Sequence, residues 1–318
     1  MLDIKIINGT TVYQPVTQES VIWETERQGA PGKLTFQVIK DDTLKIAEGN
    51  TVTLAVDGVN LFYGFIFSLK CGQDKEISVT AYDQIRYLKN KDTYVYQGKR
   101  ADEVVRALAN QFQLSCGTLE NTGFVIPHKS EDNQSLLDMI KNALDLTLQN
   151  TKRMYVLYDN FGKLTLKNIG NMQVPLLIDS ETAETFEYSS SIDSQTYNRI
   201  KLAKENKQSG AHTFYSAQDM NNLKAWGVLQ FFDTVKDGEN GKEKAETLLK
   251  LYNRKTKNLS VSNAFGDTRV RAGSMVVVKL DLALESVHMW MLVEKCKHVF
   301  ENGSHTMDLT LRGGDFVA

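Results

Sequence analysis

The chain has 318 residues, of which 42% are hydrophobic and 24% charged, and its formal net charge is −2. That length suits about two or three globular domains, and near-neutrality excludes an overall electrostatic pull toward nucleic acid or anionic lipid. No run approaches the ~20 apolar residues that span a bilayer, so no specific nucleic-acid binding and no stable membrane insertion are expected.

Residues 1–90 read as strand-rich. Residues 2–6 alternate, Asn8-Gly9 is a hairpin signal, and short β-prone runs follow at 21–23 and 34–38. With a meander at 45–81 this makes about six strands, enough for a first small β-barrel over 1–90. The texture changes over 91–182. Ala101, Val104, Val105, Leu108, Ala109 and Phe112 form one helical stripe. Leu136, Leu137, Ile140 and Leu144 mark a second helix at about 133–147, with Ser130 and Asp132 as candidate N-caps. A hairpin follows through Asp159-Asn160-Phe161-Gly162, so this stretch predicts an α+β domain of two helices and a hairpin.

β character returns at 183–211. Residues 212–257 read as a helical insertion, with a short helix from a Ser216-to-Asp219 capping box to Trp226-Gly227 and a longer one over 242–257. The cations near the end of the longer helix complement its dipole. Residues 258–318 complete a second β-barrel together with 183–211. The predicted class is α+β, mainly β.

Residues 269–311 repeat the design of 45–81. Gly49 falls on Gly273, Val52 on Val276, Lys70-Cys71 on Lys295-Cys296, and residues 77–81 on the last strand. The alternative is chance resemblance between two β-meanders.

No catalytic motif emerges: there is no Gly-rich phosphate loop, His-Glu-x-x-His, Gly-x-Ser-x-Gly or Cys-x-x-Cys. Three scattered cysteines, Cys71, Cys116 and Cys296, argue against a disulfide framework and for free thiols. His298 and His305, with Cys296 or Asp308, come nearest to a metal-ligand set, but histidines on hairpin faces are commoner. Asp132 and Asp138 are nameable as a carboxylate pair, yet capping and solvation explain them. Phe62, Tyr63, Phe65 and Phe67 suit packing better than ligand stacking. No catalytic, cofactor or metal site is expected, nor is a signal peptide, since a basic and apolar leader is lacking.

Several segments carry a family resemblance. They are Tyr215-Ser216-Ala217-Gln218-Asp219 running to Trp226-Gly227-Val228-Leu229-Gln230, then residues 245–251, Gly266-Asp267, Arg271-Ala272-Gly273, Lys297-His298-Val299-Phe300 and His305-Thr306-Met307. In this order the chain resembles the XkdQ-like baseplate hub proteins of phages and phage-tail-like bacteriocins. These are related to the late-control protein D group and to the hub part of type VI secretion spikes. The resemblance covers nearly the whole chain, though its motifs are structural. It implies two tail-tube-like barrels per chain and a homotrimer adapting a sixfold tail tube to a threefold central spike. It also implies a non-enzymatic protein of the phage tail baseplate, assembled in the bacterial cytoplasm. The expected partners are the chain itself, the tube protein, the spike, other baseplate proteins and the tape measure. The alternative is a peptidoglycan-degrading tail protein, because some members carry a hydrolase label.

Overall fold

A computed structural model describes residues 1–72, 75–193, 195–205, 209–235 and 240–313. The chain divides into two compact units. The larger comprises 1–148, 153–187 and 259–318; the smaller comprises 149–152 and 188–258.

The larger unit begins with β1 (Leu2–Asn8), β2 (Thr11–Tyr13), β3 (Thr17–Glu26), β4 (Lys33–Ile39), β5 (Thr51–Val56), β6 (Val59–Cys71) and β7 (Glu76–Tyr82). Alternation decides their faces. In β4, Leu34, Phe36 and Val38 are buried while their neighbours are not, the period-2 pattern of a strand with one packed side. Ile6, Leu54 and Ile66 join them in one core.

After a 3₁₀ turn (Gln84–Lys89) come β8 (Lys91–Arg100), α1 (Ala101–Gln111), β9 (Cys116–Leu119), β10 (Val125–Ser135), α2 (Leu136–Thr151), β11 (Tyr155–Asp159) and β12 (Leu164–Asn168). Both expected helices are present. The stripe of α1 is buried through Leu108, and Leu136 and Ile140 of α2 pack with it. The cap of α2 differs from expectation. Ser135 accepts from the Asp138 N–H and donates its hydroxyl to Asp138, whereas Asp132 accepts from Thr93. This accounts for both aspartates as local structure.

The chain continues with β13 (Gln173–Ile178) and β14 (Thr185–Ser191), then β15 (Arg199–Glu205), β16 (His212–Gln218), α3 (Met220–Trp226), β17 (Gln230–Thr234) and α4 (Gly241–Tyr252). It ends with β18 (Thr256–Phe265), β19 (Met275–Asp281), β20 (Ser286–Glu301) and β21 (Ser304–Gly313).

The stretch expected to be helical over 212–257 is mixed. In the smaller unit β15 is flanked by antiparallel β16 and parallel β17, and Ala245 and Leu248 of α4 cover Ile200 and Leu202. Asp219 is itself the N-cap of α3, accepting from the N–H groups of Asn221 and Asn222; Ser216 lies in β16. Gly227 ends α3 as expected, at φ +75°. Asn198 ties the turn down, donating to the Asn222 and Gly227 carbonyls and accepting from Leu229.

Thirteen strands form one sheet, ordered β14-β18-β21-β20-β3-β4-β7-β6-β5-β1-β2, with β19 on β20 and β13 on β19. No ring closes among the described residues. Instead of two closed barrels, the sheet consists of two six-stranded halves, with the short β2 added on β1 and left out of the numbering below. In the first half the neighbours run β3-β4-β7-β6-β5-β1; in the second they run β14-β18-β21-β20-β19-β13. Numbered within each half, both read 2-3-6-5-4-1. One joint differs, since β1 runs antiparallel to β5 while β13 runs parallel to β19.

The repeat persists in its hydrogen bonds. Gly49 N–H donates to the Ile66 carbonyl and Ile66 N–H to that of Asn50; Gly273, Val293 and Ser274 do the same. Ala47 N–H bonds the Asn50 side chain, as Arg271 N–H bonds that of Ser274. Both glycines hold positive φ, +87° and +94°, where side chains are disfavoured. β6 slips register between Ile66 and Ser68, and β20 between Val293 and Lys295. These matches keep Val52 on Val276 but move Lys70-Cys71 onto Lys297-His298, two residues from the expected alignment. A slip of two preserves each residue's face, so alternation alone could not detect it.

Candidate assembly surface

The halves meet where β20 changes partner. Its first part pairs with β19 as far as Leu292, and the same edge then pairs with β3 through Lys295 opposite Glu26 to Phe300 opposite Val21. Arg27 closes this ladder with a forked bond to Glu294, at 2.7 and 3.0 Å. Such bidentate geometry holds direction as well as charge. Thr25 accepts from the Ala272 N–H at 2.9 Å.

One face of the joined sheet carries alternating charges. Across four strands, Lys33, Glu24, Lys297 and Asp308 lie on successive cross-strand pairs. Lys33 bonds Glu24 at 2.9 Å, Lys297 bonds Asp308 at 3.2 Å, and Lys295 bonds Glu26 at 3.1 Å. All are partly solvated, so each pair adds at most about 1 kcal/mol. These six charges cancel, and Arg86 and Lys89 add two further cations to the groove that they line.

The opposite face buries a polar cluster that sequence reading missed. Asp83 accepts from Gly32 and Ile85 N–H groups at 2.9 and 3.0 Å, and Asp159 accepts from Gln84 and Gly162. Burial and the neighbouring Asp159 charge push Asp83 up to about 8; burial raises Asp159 as well. Arg271 lies between β3 and β11, its guanidinium 4.1 Å from the Tyr158 ring and 6.0 Å from Trp23. Its positive charge acts on both aspartates, while its Nε is buried without a hydrogen-bond partner.

His298, fully buried, stacks 4.8 Å from Trp23. Its Nε2 lies 2.9 Å from the Val270 carbonyl and 3.1 Å from Cys296 Sγ, and its Nδ1 lies 2.9 Å from His305 Nε2. A carbonyl only accepts, so Nε2 carries the proton and Nδ1 accepts from His305. Cys296 and His305 therefore sit on opposite sides of the ring and cannot share a metal with it. Asp308 faces Lys297. Among the described residues no three potential ligands cluster.

The aromatic run of β6 packs internally. Phe62 is buried, Tyr63 meets Phe161, and Phe65 and Phe67 both meet Tyr87. The thiol of Cys71 is exposed, that of Cys116 half-buried and that of Cys296 buried, all unpaired.

The YqbQ-like family model matches residues 21–312. The chain belongs to the YqbQ-like family. It is 31% identical over 320 residues to the phage-like element PBSX protein XkdQ of Bacillus subtilis (strain 168), covering 97% of this chain and 96% of that one. Among solved structures, the 43 kDa tail protein of prophage MuSo2 from Shewanella oneidensis matches with a TM-score of 0.70 at 11% identity, covering 97% of this chain and 98% of that one. An Escherichia coli component of the type VI secretion system, itself similar to the T4 tail proteins gp27 and gp5, matches with a TM-score of 0.57 at 10% identity. That match covers 99% of this chain and 78% of the other.

Proposed function

We propose that this YqbQ-like chain is a structural hub of a contractile phage tail or tail-like particle. Three copies form a ring adapting a sixfold tail tube to a threefold spike, and the chain carries no catalytic site. The observation that carries this reading is the doubled half-sheet, since three chains with two equivalent halves each present six similar bodies. Near-whole-chain similarity to XkdQ and the fold shared with a prophage tail protein support a place in the tail. The type VI match supports a spike-proximal position. In this reading each half corresponds to one tube-like barrel completed within the ring. The tube protein, the spike and other baseplate proteins are the partners.

Native mass measurement on concentrated protein tests the stoichiometry. Three copies of a 35.9 kDa chain give a particle of about 108 kDa. A single species at the mass of one chain, unchanged on adding tube and spike proteins, would remove the hub reading.

A further inference from the structure

Within one chain, the half-to-half ladder is made by the second strand of one half (β3) and the outer edge of the fifth strand of the other (β20). Each half has both parts, so the chain holds a second set that is unmated among the described residues. The counterpart of β3 is β14, which ends the sheet. The counterpart of the β20 edge lies in β6. Register carries Lys295 opposite Thr310 onto Ser68 opposite Thr80, and His298 opposite Met307 onto Cys71 opposite Ile77. β5 covers β6 only as far as Phe65. Residues 68–71 therefore show their outer edge without a strand partner among the described residues, just where β20 receives β3.

Neither edge is blunted. β14 reads Thr-Phe-Glu-Tyr-Ser-Ser-Ser and residues 68–71 read Ser-Leu-Lys-Cys, without proline and with one charge each. An open edge of this kind is a template for another strand. Two complementary, non-identical edges on one chain make a head-to-tail contact, which closes a ring when the rotation allows it.

We propose that β14 of one copy pairs with residues 68–71 of β6 in the next, repeating between copies the β3–β20 ladder made within each. The proposal rests on the trimeric reading and assigns its contact. Every half-to-half junction around the ring would then have the same strand chemistry, alternately within and between chains.

Cys71, exposed at this edge, supplies the probe. Cysteines are introduced singly as Glu187→Cys, Ser189→Cys, Ser190→Cys and Ser191→Cys. The proteins are oxidised mildly and run without reductant beside a native mass measurement. Opposed ladder residues lie about 4.5–5.5 Å apart at Cα, within disulfide reach. At least one variant should convert from single chains to covalent species of two and three chains, and adding Cys71→Ser should abolish them. Trimers by mass with no cross-link in any variant, or with cross-links that survive Cys71→Ser, overturn the strand assignment and leave the trimer intact. Absence of the trimer itself overturns the reading beneath it.

Discussion

Replacing Arg271 with methionine is expected to lower the unfolding free energy of the larger unit by about 2 kcal/mol, the worth of a desolvated cation held on an aromatic face. Methionine fills much of the volume but removes the positive charge that acts on Asp83 and Asp159. It also forfeits the stacking on Tyr158 at 4.1 Å. Lysine at the same position keeps the charge without the planar fork or the stacking surface, so Arg271→Lys should fall between the two. Equilibrium urea unfolding of the three proteins at one pH measures this order. A loss below about 1 kcal/mol for Arg271→Met would mean that the cluster contributes no more than an exposed ion pair.

The second large effect concerns acid. Burial first, then the charges of His305 and Arg271, hold His298 down to about 3, against an ordinary value of 6.5. Between those values the unfolded chain binds a proton that the folded chain refuses. Stability from His298 is therefore complete above about pH 6.5 and is lost as pH falls, at about 1.4 kcal/mol per unit. Asp83 works in the opposite sense. Its folded value near 8 lies above the ordinary 3.8, so its contribution is present in acid and fades as pH rises through that window.

The two slopes oppose each other between roughly pH 4 and 6.5. Phenylalanine at 298 preserves stacking on Trp23 while removing one slope. Relative to His298→Phe, the wild type should lose about 2 kcal/mol between pH 6.5 and 5. Unfolding curves collected across that range measure it, and parallel profiles for the two proteins would show that His298 does not titrate with folding.

The sequence made the local architecture legible where one period dominated. Residues 77–81 and 307–311 alternate cleanly, and the stripe from Ala101 to Leu108 has helical spacing, so strands and helix fell where expected. The glycines at 49 and 273 marked the repeat because each sits at positive φ in the turn two residues before a strand. What remained hidden depends on partners distant in the chain. Nothing near Trp23 or Thr25 announces β20, and nothing near Arg271 announces two carboxylates from other segments. β16 misled for a different reason. It exposes Phe214 on one face, so its hydrophobic pattern lacks the one-sided burial that identifies a strand, and the helix signals beside it dominated.

In the proposed hub, one chain supplies two equivalent bodies and three chains complete a sixfold-like ring. Averaged electron micrographs of the assembly viewed along its axis test it most directly. Six lobes around a central opening are expected, alternating in detail so that the true symmetry is threefold. A ring whose lobe number is not six, or six lobes arising from six chains, would contradict it.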